Sequence, residues 1–578
     1  MKRYLLLGIL VTAAILRLWN VHQGDPLGDE VLYAFRAVGL VDFDEAEFQT
    51  TPLEWFDPST SSGQVLESYV LNAGGEPIPA WTNVSFHDHP PLVFWIQHFF
   101  IKLLGENTFA FRLPSVIFGV LSVYVLYLLG TLLYSRSIGL LSAGILAVTL
   151  NHVFISRVGL QESYVIFFML LASYYFVRAL QRGKFFVFVG ITLGLGLLTK
   201  FTIFILVPIF LTYLLFVRRG AFRSRFFWIG VFVAFALFSP VIYYNIQLYL
   251  AVGHFDFQFS FLFGQDPAIW QIAPGKDIGT ISERISDFLP NLIGSHSWVF
   301  LLVVLSGFVA FLVSLALRGT SVLQRYGFMV LSFIWLFLMI LVIGPGVRFL
   351  TMLMPFMALV VSMFLLSVER FFFMNRCGVV VGILGTLFLF EIFYSVNNQI
   401  LPYPVGVTPW TVSEVRAVNA NWGYNELDRY LRDELRGKLP AFTFDARYQF
   451  ISDLQDESVE RARARGLEPF AALIVYDGSI FNTAQLWTLD RLQVYHGWPV
   501  LSLDTYDSFL ANEGSDFFER SGFKSLYYIQ PTDAVLHRGD VSQTEAGKRF
   551  EQMLLDQGST PLLLSNLRGD IAFRVYVL

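Results

Sequence analysis

Long apolar runs recur along the first 396 residues of this chain, separated by short segments that carry Lys and Arg. A run of roughly 17 to 25 apolar residues is long enough to cross a bilayer as a helix. Hydrophobic residues make up 55% of the chain and charged residues only 15%, a balance that a soluble core does not require. The sequence therefore predicts a multi-pass α-helical membrane domain over residues 1–396.

The apolar pattern predicts about eleven membrane spans. They are 4–19, 109–134, 138–154, 163–180, 185–199, 201–217, 226–250, 297–317, 327–343, 348–367 and 378–396. The first follows a basic start and is predicted to be an uncleaved span rather than a signal peptide. The apolar stretch 91–104 has only fourteen residues, so we expect an interfacial or re-entrant element there.

The positions of basic residues predict the orientation. Lys2, Arg3 and the RRGAFRSR stretch at 218–225 lie in short segments between apolar runs, and an excess of Lys and Arg marks the cytoplasmic side. With eleven spans, the N-terminus is then cytoplasmic, and the loop 20–90 is external. The C-terminal region lies on the external side of the plasma membrane.

Residues 397–578 are more polar and have mixed periodicity, which predicts an external α/β domain. Helices are expected at 422–438 and 452–466, and strands at 471–476, 499–503, 525–529 and 571–578. This region contains no glycine-rich phosphate loop, metal-spaced His pair or nucleophile elbow. Its role therefore stays open. The slightly negative net charge of −5 argues against nucleic acid as a partner of the chain.

An acidic pair, Asp29 and Glu30, follows the first apolar run and opens the predicted external loop. A carboxylate held at a membrane surface suits proton abstraction beside a lipid-borne substrate. The alternative is a solvated acidic pair that stabilises a helix start, where Asp and Glu are favoured. The residues themselves leave both interpretations open.

Lys200 interrupts two apolar runs that together cover 185–217. An ionisable residue at membrane depth is costly and marks a candidate functional site. Arg157 and Arg348 are predicted on the same external side, where they would complete an anion-binding site. The alternatives are a loop lysine whose amine extends to the membrane surface and arginines that act as interfacial anchors.

Five motifs occur in the order seen in the GT-C glycosyltransferases. They are GDEVLYAFRAVG at 28–39, HDHPPLVFWI at 87–96, FRLPSVIFG at 111–119, SRVGLQES at 156–163 and GLLTKF at 196–201. The chain resembles the protein O-mannosyltransferase and lipid A aminoarabinose transferase branches of that superfamily. The resemblance covers roughly the first 220 residues and weakens beyond them to a general pattern of spans followed by an external domain.

The resemblance implies transfer of a sugar from a polyprenyl-phosphate donor to a hydroxyl of a protein, glycan or lipid acceptor. Transfer would occur at the external membrane face with inversion at the anomeric carbon. Asp29 matches the catalytic base and Glu30 would orient Asp29 or the acceptor, while Lys200 matches a lysine near the donor phosphate.

The remaining motif residues are expected to bind substrate. Arg112 belongs to the RLPS motif, and the resemblance implies that it lies at the site. The alternative is that Arg112 only anchors the end of a membrane span. Glu162 occupies an acidic position where Asp is usual, and an ion pair with Arg157 is an equal alternative to a role at the site. His89 is expected to form hydrogen bonds near the site, while the following prolines fix the entry of the chain into the membrane element.

No cofactor is predicted, although a divalent cation is a possible requirement. His87, Asp88 and His89 resemble a metal-binding cluster, but no second group at a recognised ligand spacing accompanies them. Two other classes of protein compete with the transferase. One is a membrane transporter with an external ligand-binding domain, which predicts polar groups near the bilayer midplane. The other is a noncatalytic membrane scaffold.

Overall fold

The computed structural model describes residues 2–43, 51–57, 59, 78–267, 269–270, 279–372, 377–539 and 541–578. By packing, the chain divides into two compact units. The first contains Met1–Val21 and Asn83–Ala417, and the second contains His22–Thr82 and Val418–Leu578. Much of the predicted external loop, at 44–50 and 60–77, lies outside the described residues.

Six helices of the first unit are long and apolar enough to cross a membrane, judged by length and composition within the described residues. They are Thr108–Leu133, Glu162–Gln181, Arg225–Val252, Trp298–Arg318, Ser321–Ile343 and Val347–Val368. Shorter apolar helices are Leu92–Leu104, Arg136–Val148, Gly183–Leu197 and Phe201–Val217. The first unit is therefore the helical membrane part of the protein.

Each of the eleven predicted spans contains helix. Besides the six long helices, these segments contain Lys2–Leu18, Arg136–Val148, Leu150–Ile155, Phe186–Leu197, Leu206–Val217 and Cys377–Gln399. Further short helices of this unit are Phe257–Leu262 and Ile281–Ser295. The number of these helices that cross the membrane stays a prediction.

Local chemistry explains where the helices begin and how closely they pack. The side chain of Asn107 accepts a hydrogen bond from the Ala110 N–H at 3.0 Å and so caps the Thr108–Leu133 helix. A Cβ added to Gly190 would lie 2.0 Å from the Gly230 carbonyl oxygen. The helices Phe186–Leu197 and Arg225–Val252 therefore pack closely at these two glycines, as is common in membrane proteins.

The second unit contains a mixed five-stranded sheet and a separate two-stranded sheet. The strands are β1 (Lys438–Pro440), β2 (Glu468–Phe470), β3 (Ala472–Tyr476), β4 (Val500–Ser502), β5 (Ser525–Pro531), β6 (Leu562–Ser565) and β7 (Ile571–Val577). The five-stranded order is β4-β3-β5-β7-β6, with β3 parallel to β4 and β5 and the remaining pairs antiparallel. All five residues of β3 are buried, as expected for an inner strand.

Both faces of the sheet carry an apolar core. Ile474 of β3 packs in one cluster with Leu427 and Leu431 of the Tyr424–Glu434 helix, whereas Val475 packs on the opposite face with Leu503. The other helices of this unit are Asp29–Gly39, Pro52–Trp55, Gln449–Ala464, Asn482–Gln485, Arg491–His496, Leu503–Glu513, Phe517–Arg520 and Glu545–Asp556. The predicted C-terminal sheet domain is confirmed.

The segment that follows the first helix packs within the second unit. Asp25 is fully buried, and its carboxylate accepts hydrogen bonds from the N–H groups of Trp422, Tyr424 and Asn425 at 2.6, 3.2 and 2.8 Å. The Tyr495 hydroxyl donates to the Phe35 carbonyl at 2.8 Å. These bonds explain why packing groups residues 22–43 with the C-terminal region. The predicted functional division, 1–396 with loop 20–90 and 397–578, stays a prediction.

Candidate functional site

An ion-pair cluster joins three of the predicted site residues in the first unit. The Lys200 ammonium lies 2.6 Å from Glu162 Oε1, and Nε of Arg348 lies 3.8 Å from the same oxygen. Both cations also lie over the ring of Phe349, at 5.1 Å for Lys200 and 4.9 Å for Arg348. Residues far apart in sequence are therefore gathered around one buried carboxylate.

The ends of helices place these three side chains. Glu162 is the first residue of Glu162–Gln181, so its carboxylate lies at the positive end of the helix dipole. Lys200 is extended, with φ −164° and ψ 140°, directly before the 3₁₀ turn Phe201–Ile205. Arg348 lies in the short helix Val347–Leu350. The three charged side chains therefore lie where the apolar helices begin or are interrupted.

Exposure increases from the carboxylate outward. The Glu162 side chain is 1% exposed, Lys200 is 12% exposed and Arg348 is 32% exposed. The three side chains carry two positive charges and one negative charge, and the positive groups are the accessible ones. The arrangement suits an anion that enters past Arg348 and contacts Lys200. A phosphate is an anion that such groups commonly bind.

Backbone contacts bring the sequence motifs together around this cluster. The Leu92 N–H, beside the histidine motif, donates to the Leu198 carbonyl at 2.9 Å, two residues before Lys200. The Ser163 hydroxyl, next to Glu162, donates to the carbonyl of Ser115 in the RLPS motif at 2.7 Å. Four of the five motifs therefore belong to one packed region of the first unit.

Two other predicted site residues, Arg157 and Arg112, contact backbone carbonyls. Arg157 is 1% exposed and donates to the Trp19 carbonyl at 2.7 Å, and Arg112 is fully buried and donates to the Val21 carbonyl at 2.8 Å. These groups follow the Lys2–Leu18 helix. Both arginines thus fix the chain where that helix ends. A direct contact of either residue with substrate stays a prediction.

The environment of Arg157 is strongly positive. Burial lowers the pKa of Arg157 to about 9, and the charges of Arg112, Arg17 and Arg416 act in the same direction. The guanidinium stays protonated at neutral pH and is stabilised by the carbonyl groups that it binds. The alternative prediction of an ion pair between Arg157 and Glu162 is wrong. Within the part of the chain that the structure describes, Glu162 pairs with Lys200 and Arg348 instead.

His89 lies in a compact turn before the Leu92–Leu104 helix. Its Nδ1 lies 2.9 Å from Asp88 Oδ1, and the His87 Nδ1 lies 3.8 Å from the same oxygen. The His89 ring also packs edge-on against Phe94, with ring centroids 6.3 Å apart. The turn orients His89 through Asp88 and Phe94, and its predicted contact with substrate stays untested.

A buried aspartate anchors the loop that follows the Arg225–Val252 helix. Asp256 accepts hydrogen bonds from the Asn245 side chain and the Phe259 N–H, both at 2.8 Å. The adjacent Phe257 N–H donates to the His87 carbonyl at 3.1 Å. The loop therefore supports the turn that holds His89. The Asn245 partner, eleven residues from Asp256, was not predicted from sequence.

We expect the Asp256 anchor to weaken as pH rises. Burial raises the pKa of Asp256 from its usual 3.8 to about 7, against the lowering effect of its hydrogen bonds to Asn245 and Phe259. A raised folded-state pKa gives a contribution that is complete below about pH 4 and lost as pH rises through about 7. Amide exchange of 255–263, corrected for intrinsic rate, should show an opening free energy lower by roughly 1 to 3 kcal/mol at pH 8 than at pH 5.

Asp256→Asn is the matched control for this pH effect. The amide does not titrate and still caps a helix, so protection of 255–263 should become nearly independent of pH. An equal pH dependence in the variant would assign the effect to another group.

Asp29 and Glu30 begin the Asp29–Gly39 helix of the second unit. Gly28 precedes them with φ 62° and ψ −148°, a conformation that only glycine adopts readily. Asp29 is partly exposed, whereas Glu30 is 2% exposed. Their position agrees with the helix-start alternative, and the role of Asp29 as a base stays a prediction.

Sequence reasoning missed the pairing of Glu162 with Lys200 and the contact of both cations with Phe349. The only available signal was the position of each charged residue at the end of an apolar run. Such a position predicts that a charge is unusual, but it does not predict which charges meet.

Comparison with known proteins gives matches in this same region. The family model described as dolichyl-phosphate-mannose-protein mannosyltransferase matches residues 88–244. YycA of Bacillus subtilis, named as a mannosyltransferase, is 27% identical over 144 residues. That match covers 24% of this chain and 21% of YycA.

The undecaprenyl phosphate-alpha-4-amino-4-deoxy-L-arabinose arabinosyl transferase of Pseudomonas savastanoi is 26% identical over 194 residues. The match covers 32% of this chain and 36% of that relative. The chain thus matches about a fifth of the length of YycA and little more than a third of the length of the Pseudomonas relative. The fold of this chain is similar over nearly its whole length to that of ArnT from Cupriavidus metallidurans, whose structure was solved with undecaprenyl phosphate. That comparison has a TM-score of 0.50 and 13% identity, and it covers 99% of this chain and 97% of ArnT.

These matches confirm the predicted resemblance to the GT-C glycosyltransferases. The enzyme class of the whole chain, a glycosyltransferase that uses a lipid-linked sugar, stays a proposal. The six long apolar helices indicate a membrane protein, and the plasma membrane stays its predicted location. The matched residues 88–244 include His89, Arg112, Arg157, Glu162 and Lys200, but neither Asp29 nor Arg348.

Proposed function

From the resemblance to the GT-C glycosyltransferases, we propose that this chain transfers a sugar from a polyprenyl-phosphate donor to an acceptor hydroxyl at the external membrane face. The observation that carries the proposal is the cluster of Lys200 and Arg348 around buried Glu162. Its accessible positive groups suit the phosphodiester of such a donor. The acceptor is a protein, glycan or lipid.

The proposed chemistry is a single displacement with inversion. Asp29 removes the proton of the acceptor hydroxyl as the acceptor oxygen forms a bond to the anomeric carbon. The bond between that carbon and the phosphate oxygen breaks, and its electron pair leaves with the polyprenyl phosphate. The proton stays on Asp29 until it passes to water. General base catalysis of this kind contributes about 10²- to 10⁴-fold in rate.

The other residues bind and position the reactants. Lys200 and Arg348 stabilise the negative charge that develops on the leaving phosphate, and Glu162 holds both cations in place. Glu30 orients Asp29 or the acceptor, and His89 contributes a hydrogen bond near the substrate. Arg112 and Arg157 are supported by their backbone contacts as positioning residues. No cofactor is part of the proposal, and a requirement for a divalent cation is left to the EDTA experiment.

The proposed topology has eleven spans, a cytoplasmic N-terminus and an external C-terminal domain. A reporter fused after Leu578 should therefore be accessible only from outside the cell, and one inserted in the 218–225 loop only from the cytoplasm. Protease protection in right-side-out and inverted vesicles measures both positions. Accessibility of the two reporters from the same side would contradict the proposed topology.

A donor panel tests the function directly. Purified full-length protein in lipid nanodiscs should convert one polyprenyl-phosphate sugar to polyprenyl phosphate, and faster with a suitable acceptor than without one. Chelation by EDTA in a parallel reaction reports any need for a divalent cation. Solute uptake into proteoliposomes without cleavage of any donor would instead favour the transporter.

A further inference from the structure

We propose that Glu162 sets the charge selectivity of the phosphate site, so that the site retains the sugar donor and releases the spent lipid phosphate. The inference rests on the proposed function and extends it to the last step of turnover. Glu162 Oε1 lies within 4 Å of both cations that would bind the phosphate.

Donor and product differ in charge at the phosphate. The donor is a phosphodiester and carries one negative charge. Transfer breaks the bond from the sugar to the phosphate oxygen, which leaves a monoester with a charge of about −1.5 to −2 at pH 7, because its second pKa is about 6. Cations alone would therefore hold the product more tightly than the donor and slow its release.

Glu162 opposes this preference. Its carboxylate is 1% exposed and stays ionised beside Lys200 and Arg348, so it contributes a fixed negative charge behind both cations. A phosphate bound to Lys200 would lie within several Å of that charge, and water is largely excluded there. At an effective dielectric constant near 20 or somewhat above it, repulsion of one additional ligand charge over such a distance weakens binding by roughly 10- to 100-fold.

The order of burial places the two cations between Glu162 and an entering ligand. Lys200 and Arg348 present their accessible sides to a ligand, whereas Glu162 lies behind them. Glu162 Oε2 is buried and has no hydrogen-bond partner among the described residues. A carboxylate that served only to stabilise the fold would be more stable with a hydrogen-bond donor on its second oxygen as well, and no described residue supplies one. The carboxylate instead keeps one oxygen on the cations and its full charge near the ligand.

Two short probes isolate this effect. Farnesyl phosphate and its methyl phosphodiester differ by one methyl group and, at pH 8, by almost one unit of charge. Their dissociation constants are measured with full-length wild-type protein, Glu162→Gln and Glu162→Asp, together with the thermal unfolding temperature of each. Wild-type protein should bind the two probes with similar affinity, despite the greater charge of the monoester.

In Glu162→Gln the preference for the monoester over the diester should rise by at least roughly 10-fold, while Glu162→Asp should keep the wild-type ratio. Equal changes for both probes in Glu162→Gln would overturn the charge-selectivity role and leave the phosphate site standing. A wild-type protein that already prefers the monoester more than about 10-fold would overturn it without reference to any variant. Failure of wild-type protein to bind either probe would count against the phosphate site itself.

Discussion

Asp29→Asn should abolish most sugar transfer and leave donor binding and folding almost unchanged. Asparagine has nearly the same shape and is equally acceptable at a helix start, but it cannot accept the acceptor proton as a carboxylate does. We therefore expect a loss of at least about 10²-fold in single-turnover transfer.

The control for this variant is Asp433→Asn. Asp433 is an exposed carboxylate of the second unit, with 54% of its side chain accessible and Arg436 as its ion-pair partner. Loss of such a surface pair changes stability little, so transfer should stay within about twofold of wild type. Near-normal transfer by folded Asp29→Asn would reject Asp29 as the base, and parallel loss of folding and transfer would favour the helix-start alternative.

Lys200→Ala should weaken binding of a polyprenyl-phosphate sugar by roughly 10- to 100-fold. A charge-assisted hydrogen bond is worth about 1.5 to 3 kcal/mol, which corresponds to that range of affinity. Lys200→Arg should retain part of the affinity, because the charge remains while the geometry changes. Equilibrium binding of the donor, measured beside thermal unfolding, reports both effects.

Two controls separate loss of the phosphate contact from loss of the fold. Removing Lys200 leaves buried Glu162 with less compensation, which is destabilising. The double variant Lys200→Ala, Glu162→Gln removes that buried charge and should fold better while still binding the donor weakly. Lys102→Ala removes an exposed lysine from the Leu92–Leu104 helix and should not change donor affinity. Unchanged affinity in Lys200→Ala and Lys200→Arg would remove Lys200 from the site.

Periodicity predicted much of the fold because burial leaves a direct trace in the sequence. The apolar segments from 4–19 to 378–396 all contain helix, and the strands expected at 471–476, 499–503, 525–529 and 571–578 correspond to β3, β4, β5 and β7. Strand β6 was missed, as were the helices Leu503–Glu513 and Glu545–Asp556. Most residues of β6 are exposed, so it lacks the apolar alternation by which a half-buried strand is recognised.

The contacts of the candidate site were less predictable, because they depend on where distant segments meet. Lys200 was predicted from its cost within an apolar run, but its partner Glu162 lies 38 residues earlier and Arg348 lies far beyond it. Arg157 was predicted on the substrate side, whereas its observed partners are carbonyl groups such as that of Trp19. Sequence spacing predicts that a buried charge needs a partner but does not identify it.

The proposed phosphate site is tested by a structure of the protein with bound polyprenyl phosphate. We expect the phosphate to contact the Lys200 ammonium and the Arg348 guanidinium, with Glu162 behind both cations. A phosphate bound at another group of residues, with the ion pairs of Glu162 unchanged and no ligand beside them, would show that Lys200 and Arg348 do not form the phosphate site.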